Sequence, residues 1–285
     1  MKKILITGMN SYIGTSVENW LMKEPENYDI DKIDMKDEAW RKKDFSIYDV
    51  VFHVAGIAHV SSDPKMEDLY YKVNRDLTIE TAQKAKAEGV KQFIFMSSII
   101  VYGDSSSNKR VIDEHTVPDP SNFYGDSKLQ AEEGIKCLDS KEFRVAIVRP
   151  PMIYGKQSKG NYPKLSKLAQ ITPIFPDIDN ARSMLHIDNL SEFIKIVIEH
   201  EDSGIFFPQN EHFVSTSQLV KTISKVHGKH IWITGSINVL IRPLLKIKLM
   251  NKVFGNLVYE KSLSKYDKAD YQIRDFEETI KLTER

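Results

Sequence analysis

Ile4-Leu5-Ile6-Thr7-Gly8-Met9-Asn10-Ser11-Tyr12-Ile13-Gly14 begins as an apolar run and breaks at a glycine. It then passes into a segment where Ile13, Val17, Trp20 and Leu21 recur at helical spacing. The stretch reads as a buried strand, a tight turn and an amphipathic helix. The pattern repeats outward through the first half of the chain. Asp29 to Ile33 is strand-like, and Val50-Val51-Phe52, Phe93 to Met96 and Val145 to Val148 are short runs of the kind found in strands buried on both faces. Leu69, Val73, Leu77 and Ala85 trace a covering helix between two of them. Such alternation predicts an α/β fold, a doubly wound parallel sheet with crossover helices. The interval between Ile33 and Asp49 is too short for a full crossover, so Lys36 to Asp44 is expected as a loop or one short helix at a trimmed sheet edge. After Pro150-Pro151 the chain is less periodic and richer in Pro and Lys. A smaller second domain is therefore expected over residues 154–285, following a first domain over 1–153.

The glycine turn carries the first chemistry. A helix N-terminus has free N–H groups and about half a positive charge, so backbone alone can bind a pyrophosphate placed there. Gly8 permits the turn and Gly14 lets the helix lie close to the strand, as in a dinucleotide-binding loop. Ser11 stands where such loops carry a middle glycine. Its side chain could crowd the pyrophosphate or its hydroxyl could donate to it, and both readings stay open. Asp34, at the end of the second strand, is placed to accept the ribose hydroxyls of an adenosine, which favours NAD over NADP; the trimmed edge equally allows Asp34 to lie against adenine.

Tyr124-Gly125-Asp126-Ser127-Lys128 puts a phenol and an ammonium four residues apart on one helix face. Ser98 closes the apolar strand Phe93 to Met96. A free tyrosine, with a pKa near 10, is too weakly acidic to act as a base at neutral pH, whereas a neighbouring Lys ammonium and an oxidised nicotinamide would both lower it. Ser98 would then hold a carbonyl or sugar hydroxyl oxygen while Tyr124 passes the proton.

With these motifs stand His53-Val54-Ala55-Gly56, Asn74, Ser97-Ser98-Ile99-Ile100-Val101-Tyr102-Gly103, Arg149-Pro150-Pro151-Met152-Ile153-Tyr154-Gly155 and Arg182-Ser183-Met184-Leu185-His186-Ile187-Asp188. Over nearly its whole length the chain resembles an extended short-chain dehydrogenase/reductase of the NAD-dependent epimerase/dehydratase family, in particular bacterial proteins of capsule and surface-polysaccharide pathways. The resemblance implies a Rossmann-type sheet with a C-terminal substrate-binding domain, about 183–200 returning to the sheet. It implies NAD, with NADP as the alternative, held by Gly8, Asn10, Ser11, Tyr12, Ile13, Gly14, Asp34, Val54, Ala55, Gly56, Asn74, Tyr124 and Lys128. Ser98, Tyr124 and Lys128 become the catalytic group. A nucleotide sugar would meet Ser98, Tyr124, Asn161 and Arg182, the guanidinium taking the diphosphate through paired donors.

Departures from the pattern narrow the reaction. Relatives that remove water across carbons 4 and 6 resemble one another in carrying Asp-Glu after the catalytic hydroxyl; here Ile99-Ile100 follow, and neither moves a proton. Ile100 also replaces the cysteine of 3,5-epimerising reductases, and Met152 replaces an Asn that contacts substrate. Hydride exchange at carbon 4 survives, as 4-keto-sugar reduction first and UDP-sugar 4-epimerisation second. A non-catalytic dinucleotide sensor would have no use for Tyr124 and Lys128.

Composition closes off other classes. The 285 residues hold 40 basic and 40 acidic side chains, for a net charge of zero, which argues against a nucleic-acid partner. The single cysteine, Cys137, cannot pair within the chain; it fits a reducing, cytoplasmic setting and a place in the helix core. Met1-Lys2-Lys3 resembles a signal n-region, but Thr7 and Gly8 end the apolar run at once. No window approaches the roughly 18 apolar residues of a membrane span. His53, His59 and His186 lack partners at metal spacing, so no metal is expected. Ile237 to Val258 is apolar with Arg242, Lys246, Lys248 and Lys252 interspersed. It reads as a helix pair or a homodimer contact in preference to a membrane-surface segment.

Overall fold

Residues 1–58, 63–105, 110–238 and 254–285 are described by the computed structural model. His59 and most of Ile237 to Val258 (239–253) lie outside the described residues. In chain order the elements are β1 (Lys2–Thr7), α1 (Tyr12–Leu21), β2 (Tyr28–Ile33), β3 (Val50–His53), α2 (Glu67–Tyr70), α3 (Leu77–Ala87), β4 (Gln92–Met96), β5 (Val111–Ile112), α4 (Phe123–Lys136) and β6 (Arg144–Val148). They continue with β7 (Met152–Tyr154), α5 (Tyr162–Ile171), β8 (Ile174–Pro176), β9 (Met184–His186), α6 (Ile187–His200), β10 (Gly204–Phe206), α7 (Thr216–Val226), β11 (Trp232–Thr234), β12 (Val258–Tyr259) and α8 (Phe276–Glu284).

Every expected strand enters one six-stranded parallel sheet, ordered β10-β6-β4-β3-β1-β2. In-register neighbours Leu5, Val51, Phe93 and Val145 point to one face, where they pack with Ala82 and Ala85 of α3 and Ala131 and Ile135 of α4. The small side chains on both helices let them approach the sheet, and each large apolar side chain buried there contributes about 1.5–3 kcal/mol. The trimmed edge is as expected: β2 is the last strand, and Glu38–Lys42 forms a short 3-10 turn anchored by buried Trp40. This is the doubly wound Rossmann-type sheet.

The helix expected around Leu69 to Ala85 departs from its pattern. Tyr71–Asp76 is a π-helical turn between α2 and α3, and the wider turn changes which side chains face inward. Tyr70, Asn74, Thr78, Thr81, Ala82 and Ala85 are buried, whereas Leu69 is 41% exposed.

The chain divides into two compact units. Unit 1 comprises Met1–Gly103, Val117–Pro150 and Leu190–Pro208; unit 2 comprises Asp104–Thr116, Pro151–Asn189 and Gln209–Arg285. Relative to a single cut at 153/154, Asp104–Thr116 clusters with unit 2, and the returning segment is Leu190–Pro208, which supplies β10 to the sheet edge beside β6. Unit 2 is built from the parallel pairs β5/β12, β7/β9 and β8/β11. Its core includes Tyr154, Leu165, Phe175, Leu219, Val220, Ile223 and Ile280.

Candidate functional site

The turn after β1 is shaped by backbone. Gly8 has φ +83°, and a Cβ there would lie 3.1 Å from the backbone of Ala55. The N–H groups of Gly8 and Met9 donate to the Ile33 carbonyl at 2.9 and 3.2 Å, which brings Asp34 beside the loop. Asp34 Oδ1 accepts from the Lys36 amide at 3.1 Å. Ser11 is the N-cap of α1, its Oγ accepting from the Gly14 N–H at 3.0 Å. Of the two roles left open for this serine, its oxygen is thus directed at the helix end. A Cβ on Gly14 would come within 2.5 Å of that Oγ and 3.0 Å of Ile6 and Val54, so helix and strand meet closely here. Asn10 is exposed, and Tyr12 and Ile13 begin α1 at the end where amide donors outnumber helical acceptors.

His53 binds this turn to its neighbours. It is fully buried at the end of β3, with Nδ1 2.9 Å from Thr7 Oγ1 and Nε2 3.1 Å from Thr78 Oγ1. Burial, with the Lys128 ammonium adding to it, pushes its pKa down to about 3 and keeps the ring neutral. Val54, Ala55 and Gly56 follow. A Cβ on Gly56 would lie 3.0 Å from Asn74 Oδ1 and 3.3 Å from Lys128 Nζ. Asn74 accepts from the Ile57 amide at 2.8 Å and donates to the Ile57 carbonyl at 3.1 Å and to Ser127 Oγ at 3.2 Å. The strand ends of β1 and β3, the π turn and α4 therefore converge around Gly56. A glycine loop at a helix N-terminus with a second glycine under an ammonium is a cradle that fits a dinucleotide.

The turn after β4 is shaped by side chains. Ser98 caps the 3-10 turn Ile99–Tyr102, its Oγ accepting from the Ile100 N–H at 3.3 Å. Asn122 caps α4, its Oδ1 accepting from the amides of Tyr124 at 3.0 Å and Gly125 at 3.1 Å. A Cβ on Gly125 would stand 2.7 Å from the Ile100 carbonyl oxygen; its absence lets α4 close on the turn that Ser98 caps. Tyr124 also meets Tyr70 edge-on at 5.8 Å.

Protonation differs from the expectation. Burial pushes the Tyr124 phenol up to about 12, outweighing the Ser98 hydroxyl that lowers it, with Tyr70 adding to the rise. Lys128 does not offset this, because its Nζ donates to the Met96 carbonyl at 2.9 Å and lies 4.6 Å over the Phe95 ring. Burial depresses the ammonium itself to about 8, against the pull of Glu132.

Beneath these residues lies a buried network that motif reading left without a role. Arg149 donates from Nε to both carboxylate oxygens of Glu132, at 3.1 and 3.0 Å, and from Nη1 to the Tyr102 hydroxyl at 2.6 Å. Ser97, next to Ser98, donates to Glu132. Both charged side chains are almost wholly enclosed. Glu132 lies one helical turn beyond Lys128, so its position on the Tyr124 face was legible. Its partner, 17 residues on, was not.

Asn161 and Arg182 belong to unit 2. Asn161 is the exposed N-cap residue of α5. Arg182 is half-buried, donates to the Gly255 carbonyl at 3.4 Å, and is lowered to about 10 by burial. Met152 packs against the core of unit 2. Cys137 is exposed, contrary to the core position expected of it, because it falls at the C-cap of α4 where Ile135 already fills the inward place. Among the described residues, no three His, Cys, Asp or Glu side chains form a metal set, and no helix is long and apolar enough to cross a membrane.

A parallel sheet with a glycine turn at its first strand end and a Ser, Tyr and Lys group at its fourth defines a dinucleotide-dependent enzyme of the short-chain dehydrogenase/reductase class. Residues 4–213 match the NAD dependent epimerase/dehydratase family, and the chain belongs to it. It is 30% identical over 280 residues to a UDP-glucose 4-epimerase of Vibrio cholerae, covering 89% of this chain and 83% of that one. It is 26% identical over 230 residues to a GDP-6-deoxy-D-mannose reductase of Pseudomonas aeruginosa, covering 72% and 73%. Among solved structures, a UDP-glucuronic acid 4-epimerase of Bacillus cereus, in complex with NAD, superposes with TM-score 0.72 at 18% identity over 98% of this chain and 97% of that one.

Proposed function

We propose that this chain exchanges a hydride at carbon 4 of a nucleotide-linked sugar, and that its direction is reduction of a 4-keto group. The observation that carries the reading is the placing of the Tyr124 phenol by α4 close to the Ser98 turn, where the residues that follow Ser98 are Ile99 and Ile100, which hold no proton to move. NAD in its reduced form, with reduced NADP as the alternative, would supply the hydride when bound. The loop from Gly8 to Gly14, Asp34, Val54 to Gly56, Asn74, Tyr124 and Lys128 would hold it. Ser98 polarises the sugar carbonyl, and Tyr124 gives its proton to the emerging alkoxide. A phenol held near pKa 12 is protonated at neutral pH, the state needed to give a proton. Arg182 would take the nucleotide diphosphate, with Asn161 as a further substrate contact.

A second reading, 4-epimerisation, is favoured by the Vibrio cholerae relative. It requires the enzyme to keep its cofactor through an oxidation and a re-reduction. Mass spectrometry of the purified native protein separates the two: a protein that exchanges its dinucleotide during dialysis supports reduction, and stoichiometric retained NAD supports epimerisation. The sensor reading has no support among relatives that are themselves enzymes.

A further inference from the structure

The net charge of zero conceals a segregation within unit 2. Residues 151–176 contain four lysines, and residues 212–259 contain seven lysines and arginines, yet neither stretch has a single Asp or Glu. The fold brings the described parts of the two stretches together. Helices α5 and α7 pack on one another, and β8 pairs in parallel with β11, Trp232 opposite Ile174. Lys229, just beyond α7, donates to the Gln170 carbonyl in the last turn of α5.

This basic region is also where large apolar side chains face solvent. Trp232 is 64% exposed, Ile171 68%, Ile174 43% and Leu168 36%. Leu168 and Ile171 share a stripe of α5, the chain runs from Ile171 through Thr172 and Pro173 into Ile174, and Ile174 and Trp232 stand in register on one sheet face. Lys164 and Lys167, each one helical turn before an apolar member, and Lys229 are exposed around them.

We propose that this face of unit 2 docks peripherally on an anionic membrane surface. Trp232, Ile171, Ile174 and Leu168 enter the headgroup region, and Lys164, Lys167 and Lys229 meet lipid phosphates. An indole is the side chain best suited to the boundary between headgroups and acyl chains, and the exposed lysines Lys164, Lys167 and Lys229 supply the attraction to anionic lipid that four apolar side chains alone would lack. A second copy of the chain fits this face poorly, since a two-fold contact would lay one lysine-rich surface against another. Nucleic acid has no use for exposed isoleucine and leucine. The proposal is independent of the reaction assigned above.

The test is co-sedimentation of the full-length protein with vesicles of phosphatidylcholine alone or containing phosphatidylglycerol, at low and high salt. At least tenfold greater binding to the anionic vesicles, weakened by salt, is expected. The double variant Trp232→Ser, Ile171→Ser should lose it tenfold or more, as should Lys164→Glu, Lys167→Glu, with circular dichroism unchanged because all four side chains are exposed. Absence of binding, equal binding to neutral and anionic vesicles, or undiminished binding by both double variants would overturn the proposal. So would concentration-dependent self-association of the wild type that Trp232→Ser abolishes while leaving vesicle binding intact.

Discussion

Two strand ends of the same sheet are capped by a serine, and the two serines do different work. Ser11, after β1, and Ser98, after β4, each accept an amide hydrogen bond at the start of a helical turn. Around Ser11 the neighbours are glycines, so the surface offered to a ligand is main chain. Around Ser98 they are Tyr124, Lys128 and the Glu132–Arg149 pair, so the surface is functional groups with altered proton affinity. A site made of backbone binds whatever matches its shape and dipole, and it is sensitive to added atoms. A site made of side chains can move a proton, and it is sensitive to lost ones.

Substitution should separate the two behaviours. Tyr124→Phe is expected to reduce turnover by about 10²- to 10⁴-fold, the range for a positioned acid or base, with cofactor affinity in a fluorescence titration unchanged within a few fold. A parallel loss of cofactor binding would erase the distinction between the strand ends. Arg149→Met should destabilise the protein by about 3–5 kcal/mol in urea unfolding, because it leaves the Glu132 carboxylate enclosed without its partner. Adding Glu132→Leu should restore most of that loss, and a double variant no better than the single one would show that the pair does more than balance charge.

Acid should act on the first strand end through His53. Its pKa is near 3 when folded, against 6.5 for the unreacted imidazole, so below pH 6.5 the unfolded chain takes up a proton that the folded chain refuses. Stability from this group is complete above pH 6.5 and falls by about 1.4 kcal/mol per pH unit down towards pH 3. The wild type should lose stability faster than His53→Asn between pH 6 and 4, and equal slopes would place the protonation elsewhere. The smallest effect expected is that of Gly14→Ala. Its added methyl displaces the Ser11 hydroxyl from the α1 cap and crowds Ile6 and Val54, for a loss of about 1–3 kcal/mol in stability and weaker cofactor binding, with the rate at saturating cofactor unchanged.

The strands were legible because residues such as Val50-Val51-Phe52 and Phe93 to Met96 are buried on both faces and leave an unbroken apolar run. Gly204–Phe206 left no such signal, since a three-residue edge strand needs little apolar surface. The π turn was hidden because its inward side chain, Asn74, is polar and is satisfied by hydrogen bonds that no periodicity records. Ser98, Tyr124 and Lys128 could be picked out by residue type and spacing. Their protonation could not, because it depends on burial and on where the Lys128 ammonium points, and both are set by tertiary packing.

The most direct measurement follows cofactor absorbance while purified protein, NADH or NADPH and a nucleotide 4-keto-6-deoxy sugar are incubated together. One cofactor oxidised per sugar reduced, abolished in Tyr124→Phe, is the expected result. No oxidation, together with interconversion of ordinary 4-epimers without added cofactor, would contradict reduction as the direction of the chemistry.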